Sequence, residues 1–343
     1  MTKQLTIKNH FVPQSYLKRW EDTEQKISVY KTLVSHSTAP NWKKYSAAAI
    51  AYHKNLYTQV LNGNESDELE KWFDREFEAP ANSVLDKATQ DQKLTKNDWN
   101  ILIRFLAAQD VRTPKRMSEY LKRGTEKLSG ALNEVLDEVK EKLENRDFES
   151  LKSLDSPEEV SAFPLKLITE NQKDSNTTTL KAESYVGRST WIYSIKYLLE
   201  NTEKVLHKHK WTIVKPAKGH YWITSDNPVV KLNFIDAHNY DFGGGWDKPK
   251  GNLFFPIGPE HAMFVQIGDK ALPKGTRLSV DQTILIRRLI AENSHRMIFS
   301  KNDNDGVISL KKRIVDKEMV NREKAEFLAW HQKNSEMERE YFQ

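Results

Sequence analysis

The sequence predicts an α+β fold, with mainly helical N-terminal and middle parts around a largely antiparallel sheet formed mostly by C-terminal strands. Three observations carry this expectation. Apolar residues keep helical spacing through most of 64–139, short runs alternating every second residue cluster between 211 and 267, and helices and strands are segregated along the chain instead of alternating as βαβ units. Residues 1–343 read as a single large domain; the subdivision the pattern allows is a helical part with short N-terminal strands, 1–170, and a strand-rich part with a terminal helix, 180–343.

Taken in order, ISVYKTLV at 27–34 alternates as a half-buried strand does, after the polar turn Glu21–Gln25. From Asn64 to about Gln90, Leu69, Trp72, Phe73, Phe77, Val84 and Leu85 keep helical spacing behind an Asn64/Ser66 start signal, with a kink expected at Pro80. A second helix starts at Thr95, with Asp98 as capping partner, and runs through Gln109 and Arg112 to Pro114. It resumes beyond that proline, where Leu121, Leu128, Leu132, Val135 and Val139 form an apolar seam. Ser156-Pro157-Glu158-Glu159 reads as another helix start, the polar run Asn171–Thr179 as a loop and chain break, and Trp191–Leu206 as a helix. Strands are expected at 211–214, 221–224, 229–234 and 262–267, then a helix over 280–293 capped by Ser279 with Gln282, and a charged helix over 316–342.

The chain has no cysteine, which excludes disulfides, thiolate catalysis, the usual structural zinc sites and iron-sulfur clusters. No apolar run approaches the length of a bilayer crossing, and MTKQLTIKNHF lacks a secretory apolar core, so the expected location is cytoplasmic, with no membrane partner. Lys and Arg number 53 against 48 Asp and Glu, interleaved along the chain without a basic block, which leaves nucleic acid or another phosphate-containing ligand open as a partner without requiring one. Nine Trp supply large apolar anchors for a core or a base-stacking surface.

Four groups of residues have chemistry to offer. His10 lies between a polar start and Phe11-Val12-Pro13, with Gln14 four residues on, so its imidazole reads either as a proton-transfer group or as a structural anchor of the N-terminal segment. Gln109 and Arg112 share the apolar stripe of their helix, which aims a guanidinium into the interior, where its partner is an internal carboxylate or a bound anion. Glu76 and Glu78 are the candidate carboxylates. Helical periodicity from Leu69 favours Glu76, and a shift of the stripe at Pro80 favours Glu78. Thr224-Ser225-Asp226-Asn227-Pro228 presents Asp226 at a strand end as a metal ligand or general base, against the alternative of a plain chain-reversing turn. His207 with His209 lacks a third ligand nearby, and Gly243-Gly244-Gly245 lacks the context of a phosphate loop.

NHFVPQSYLKRW at the start, NLYT at 55–58, FLAAQDVRTP at 105–114, WITSDNPVV at 222–230 and FPIGP at 255–259 together resemble the mainly microbial family catalogued as domain of unknown function (DUF) 4238, over most of the chain. That resemblance implies that the glutamate of the E-x-x-A-x-x-V-L pattern is Glu78, and that His10, Gln14, Gln109, Arg112, Asp226 and Asn227 converge with it in one pocket. Two functions then compete. In the first, a hydrolase of phosphodiesters, nuclease-like and acting as a toxin or antiviral effector, has His10, Glu78 and Asp226 as catalytic groups, an Mg²⁺ or Mn²⁺ ion as the cofactor the carboxylates permit, and Gln14, Gln109, Arg112 and Asn227 binding substrate. In the second, a binding or scaffold protein uses the same residues as a buried polar network.

Overall fold

In the computed structural model, which describes residues 5–61, 63–145, 165–171, 178–303 and 306–341, the helix Lys96–Val111 starts on its capping box. The Asp98 amide donates to Thr95 Oγ1 at 3.1 Å and the Thr95 amide donates to Asp98 Oδ2 at 2.8 Å. Ser279 and Gln282 open Val280–Asn293 in the same way, so in both helices side-chain oxygens serve amides that the first turn leaves without partners. Pro114 begins the helix Pro114–Glu144, as expected from the resumed seam.

The helix expected from Asn64 starts later, at Glu68, because Asn64–Ser66 pairs with Gln59–Leu61 as a hairpin. A π turn over Asp74–Glu78 runs without a break into Ala79–Thr89, and Pro80 follows it directly, so the irregularity expected at the proline lies in the turn just before it. The region from Trp191 is helical as Arg188–Tyr197, then a π turn Leu198–Thr202 and a 3-10 segment Glu203–Lys208. The run 171–179 is not a loop throughout, since Asn171 faces Thr178 in a hairpin of Leu165–Asn171 with Thr178–Ser184. The helix start expected at Ser156–Glu159 lies outside the described residues.

The C-terminal strands build a six-stranded sheet in the order Asn239–Asp241, Val230–Asp236, Gly251–Gly258, His261–Gln266, Thr212–Lys215, Thr276–Arg277. All pairs are antiparallel except the last. Gly251–Gly258, the FPIGP strand, went unpredicted although it is central. Of the strand expected at 221–224 only Thr224 is in a sheet, continuing to Ser225, and it belongs to a second sheet, ordered Thr224–Ser225, Met297–Ser300, Ile27–Lys31, Trp42–Tyr45. There the N-terminal strand sits between a C-terminal strand and its own neighbour. The Thr32 amide adds one more rung, to the Arg296 carbonyl at 2.9 Å, and beyond it Leu33–Val34 changes partner to Ile314–Val315.

Alternation divides the six-stranded sheet between two cores. Ile213, Leu253, Phe255 and Met263 face a large cluster running from Phe11 to Phe299, which draws on both 1–170 and 180–343. Val214, Val230, Leu232 and Phe254 face the other way, toward Leu289 and Ile290 of the helix Val280–Asn293. The triple glycine is a packing device: a Cβ on Gly244 would lie 2.6 Å from the Leu232 amide nitrogen, so only glycine lets the loop cross that strand. Among the described residues no helix is long and apolar enough to cross a membrane.

The helix Lys317–Tyr341 is fastened by Arg188, which is without solvent exposure. Arg188 donates from two nitrogens to Glu338, and the Glu338 carboxylate also accepts Ser189 Oγ at 2.8 Å and the Val60 amide at 2.7 Å. Asn334 Oδ1 accepts the Arg188 amide at 2.7 Å.

Candidate functional site

The sequence-predicted residues fall into two neighbouring groups. The first centres on Arg112, which caps the C-terminal end of Lys96–Val111 and is 0% exposed. It is paired with Glu78, donates to the His10 carbonyl, and lies 3.9 Å from Glu70 Oε2. Its guanidinium stands 4.2 Å from the Phe73 ring centroid, and Tyr57 donates its hydroxyl to the Arg112 carbonyl at 2.6 Å. Glu78 and not Glu76 reaches the arginine because the π turn adds a residue to one helical turn and rotates the following positions inward. Glu76 stays at the surface, 2.9 Å from Arg75. Arg112 was expected to bind substrate phosphate. Its fork is instead occupied by Glu78 and the main chain, the internal salt bridge that was the alternative.

Glu70 was missed by the sequence reading, because its position in the apolar helix pattern is a polar gap like any other. Burial pushes its carboxyl up to about 7, against the pull of Arg112 and with the repulsion of Glu78. His10 is buried, with Nδ1 3.5 Å from Gln14 Nε2 and its ring 5.5 Å from that of Tyr52. Burial, with Lys8 second, lowers its pKa to about 4, so the imidazole is neutral at pH 7. Five buried atoms of this group lack a hydrogen-bond partner: His10 Nε2, Glu70 Oε2, Arg112 Nε and both amide atoms of Gln109, which is 0% exposed.

The second group opens on a cavity of about 580 Å³. Phe11 and Tyr52 line it from the side that covers His10, Pro114 from the turn after Arg112, and Phe327 from the helix Lys317–Tyr341. Asp226, His295 and His53 line it too. The Asp226 carboxylate accepts three consecutive amides, of His295 at 2.7 Å, Arg296 at 2.6 Å and Met297 at 2.8 Å, because Thr224–Ser225 runs antiparallel to Met297–Ser300 and delivers Asp226 to the start of that strand. Burial raises the Asp226 carboxyl and lowers the His295 imidazole, while the two oppose these shifts in each other by mutual attraction. His53 is stacked between Phe327, at 3.8 Å between ring centroids, and Phe11, at 5.6 Å. Burial and the neighbouring His295 lower its pKa to about 4. Lys31, Lys54, Lys324 and Arg296 line the cavity against Asp226 and Glu323, and Glu323 is already paired with Arg296.

Asn227 does not line the cavity. Its Oδ1 accepts from Thr113 Oγ1 at 2.8 Å and its Nδ2 donates to the Asn293 carbonyl at 3.1 Å, which ties the residue after Arg112 to the end of Val280–Asn293. The turn around Asp226 is closed by Ser225, whose Oγ accepts the Asn227 amide at 3.2 Å. Thus the single pocket expected from His10, Gln14, Glu78, Gln109, Arg112, Asp226 and Asn227 is a buried network behind a cavity wall, and of these residues only Asp226 lines the cavity. The carboxylates expected to hold Mg²⁺ or Mn²⁺ belong to different contact sets, and among the described residues no three His, Asp or Glu side chains are grouped to hold a metal ion. His53 and His295 were missed: each is a lone histidine beside a motif, the first two residues before NLYT and the second just past a helix end, and spacing marks neither. His207 and His209 are held apart by Glu203 and the Trp246 carbonyl.

The family model described as Protein of unknown function (DUF4238) matches residues 8–304, and the chain belongs to that family. No curated protein and no solved structure matches it. The matched span includes His10, His53, Glu78, Arg112, Asp226 and His295, whereas the helix Lys317–Tyr341 that walls the cavity lies beyond it.

Proposed function

We propose that the chain is a hydrolase acting on phosphodiesters, nuclease-like, with His295 as proton acceptor and Asp226 as its charge partner. One grouping supports this reading: a histidine beside a buried aspartate of opposite charge preference, a second, neutral histidine, a lysine-bearing rim and aromatic rings meet in one cavity of about 580 Å³, within the roughly 300–1,000 Å³ of small-molecule sites. Lys31, Lys54 and Lys324 attract the phosphate, and the half-buried Tyr52 and Phe327 offer ring area against which a base packs. His295 takes a proton from the attacking water as its oxygen bonds to phosphorus. The imidazolium is stabilised by Asp226, the P–O bond opposite the incoming oxygen breaks, the departing oxygen takes a proton from solvent on that side, and His295 then releases its own to solvent. The Arg112 network backs the wall and fixes its geometry. A cytoplasmic location, where RNA and DNA are at hand, is part of the same proposal.

Cleavage of RNA and DNA oligonucleotides by wild type, His295→Gln and His10→Gln, with Mg²⁺, Mn²⁺ or chelator, tests the proposal. Activity at least about 100-fold lower in folded His295→Gln, with His10→Gln nearer wild type, is expected of a general base. Equal cleavage by folded His295→Gln and wild type excludes the role. A toxin or antiviral role requires that growth arrest on expression follow the same ranking. The full engagement of Asp226 by three amides favours a second reading, a non-catalytic receptor for the same ligands, and saturable oligonucleotide binding without turnover would establish it.

A further inference from the structure

A second cavity, of about 480 Å³, lies between the helix Val280–Asn293 and the face of the six-stranded sheet turned away from the main core. Its interior follows from strand alternation. Val230, Phe254, Phe264 and Val214 project from four successive strands toward Leu285, Ile286 and Leu289 of the helix, and all of them line the space. One end differs. The register pairs Thr212 with Phe264 and Asn252 with Gln266, which brings Lys210, Gln266 and Asn252 level with one another, and Lys270 follows four residues beyond Gln266. These four polar residues line the same cavity, its only charged lining groups are the two lysines, and neither lysine is in an ion pair among the described residues.

We propose that this cavity binds a free single-chain anionic amphiphile, a fatty acid or a close relative, with its tail between sheet and helix and its carboxylate at Lys210 and Lys270. The volume is that of a small-molecule site and too small for a docked helix or strand. An apolar interior of this size selects a hydrocarbon tail, because each buried methylene leaves water favourably. A mouth bearing two unpaired ammonium groups and no carboxylate selects an anionic head and disfavours a cationic one. The site is separate from the His295 cavity: the two share no lining residue, so the proposal stands independently of the hydrolase reading.

Calorimetric titration of the full chain with saturated fatty acids of eight to fourteen carbons, below their micellar concentrations, tests it. One-to-one binding is expected, tightening roughly fourfold per added methylene until the cavity is filled. Dodecyltrimethylammonium should bind at least about tenfold more weakly than dodecanoate. The double variant Lys210→Glu/Lys270→Glu, which changes only exposed side chains, should weaken dodecanoate about tenfold as two surface attractions become repulsions. Leu285→Trp, at a half-buried position, should block the tail, while Lys31→Glu in the other cavity should leave the affinity unchanged. Absence of saturable binding, equal affinity for the cationic amphiphile, or undiminished binding by the charge-reversed chain would overturn the proposal. So would a response confined to anionic vesicles, which would mark a membrane contact, or dimerisation that competes with dodecanoate, which would mark a second copy as occupant.

Discussion

Arg188 and Arg112 are both without solvent exposure and both meet a glutamate, yet their surroundings are completed differently. Every side-chain nitrogen of Arg188 finds an acceptor, and no buried side-chain atom of Arg188, Ser189, Asn334, Ser335 or Glu338 lacks a hydrogen-bond partner; at the edge of the cluster only the Tyr185 hydroxyl, among the described residues, is left over. Around Arg112 one guanidinium nitrogen, one Glu70 oxygen, one His10 nitrogen and the whole Gln109 amide are left over. Buried polar groups are ordinarily satisfied, and a network that closes on itself fixes a structure. The Arg188 cluster is such a lock, holding the helix Lys317–Tyr341. The Arg112 cluster carries two carboxylates for one cation, and burial, aided by the like charge of Glu78, raises the Glu70 carboxyl so that it titrates at about 7.

The largest expected effect breaks the lock. Glu338→Ala leaves Arg188 buried and uncompensated and should cost about 3–5 kcal/mol in urea unfolding, whereas Arg188→Met/Glu338→Leu should recover most of that loss. Recovery of nothing would mean that the cluster does more than neutralise itself. The pH dependence of the open cluster comes next. Glu70 titrates at about 7 when folded and at its ordinary 4.5 when unfolded, so folding favours its protonated form. Its contribution to stability is fully present below 4.5, is lost as pH rises toward 7, and is constant above. Glu70→Gln should remove a decline on the order of 2 kcal/mol from the wild-type stability profile. A profile unchanged by Glu70→Gln would place that carboxyl in water. Smaller again is the opposite slope from His10, whose pKa is lowered from 6.5 to about 4: its contribution is present above 6.5 and is lost as pH falls toward 4. His10→Gln should flatten the acid limb by about 1 kcal/mol, and the slope contributed by His53 in the same window should remain. Finally, Glu78→Gln should lower the Glu70 pKa, since one like charge goes and Arg112 turns wholly to Glu70, an effect to be read by carbon-detected NMR titration.

How much of this was legible in the sequence depended on whether a feature is periodic. The capping boxes at Thr95 and Ser279, the apolar stripes and the α+β class all rest on local, repeated patterns, and each is present as expected. The inward aim of Gln109 and Arg112 was legible for the same reason. The choice of Glu78 needed a π turn, which adds one residue to a helix without any residue type announcing it. The split of the expected pocket into a buried network and an open cavity depended on long-range register: Asp226 meets 295–297 only because two short strands pair across about seventy residues of chain. His53 and His295 became a pair by that same folding, and no spacing rule relates positions 53 and 295.

The terminal helix has a consequence in time. Phe327 and Lys324 complete the wall of the histidine cavity, and the lock that seats them involves Glu338, so residues 8–304 alone leave that cavity without one side. During synthesis the earlier residues emerge first, and the helix follows after a delay on the order of seconds. A nascent chain therefore carries both cavity histidines, with Lys31 and Lys54, before it carries Lys324 and a finished cavity, and under the proposed phosphodiesterase reading that delay leaves the site incomplete while the chain is still held against the RNA of the ribosome.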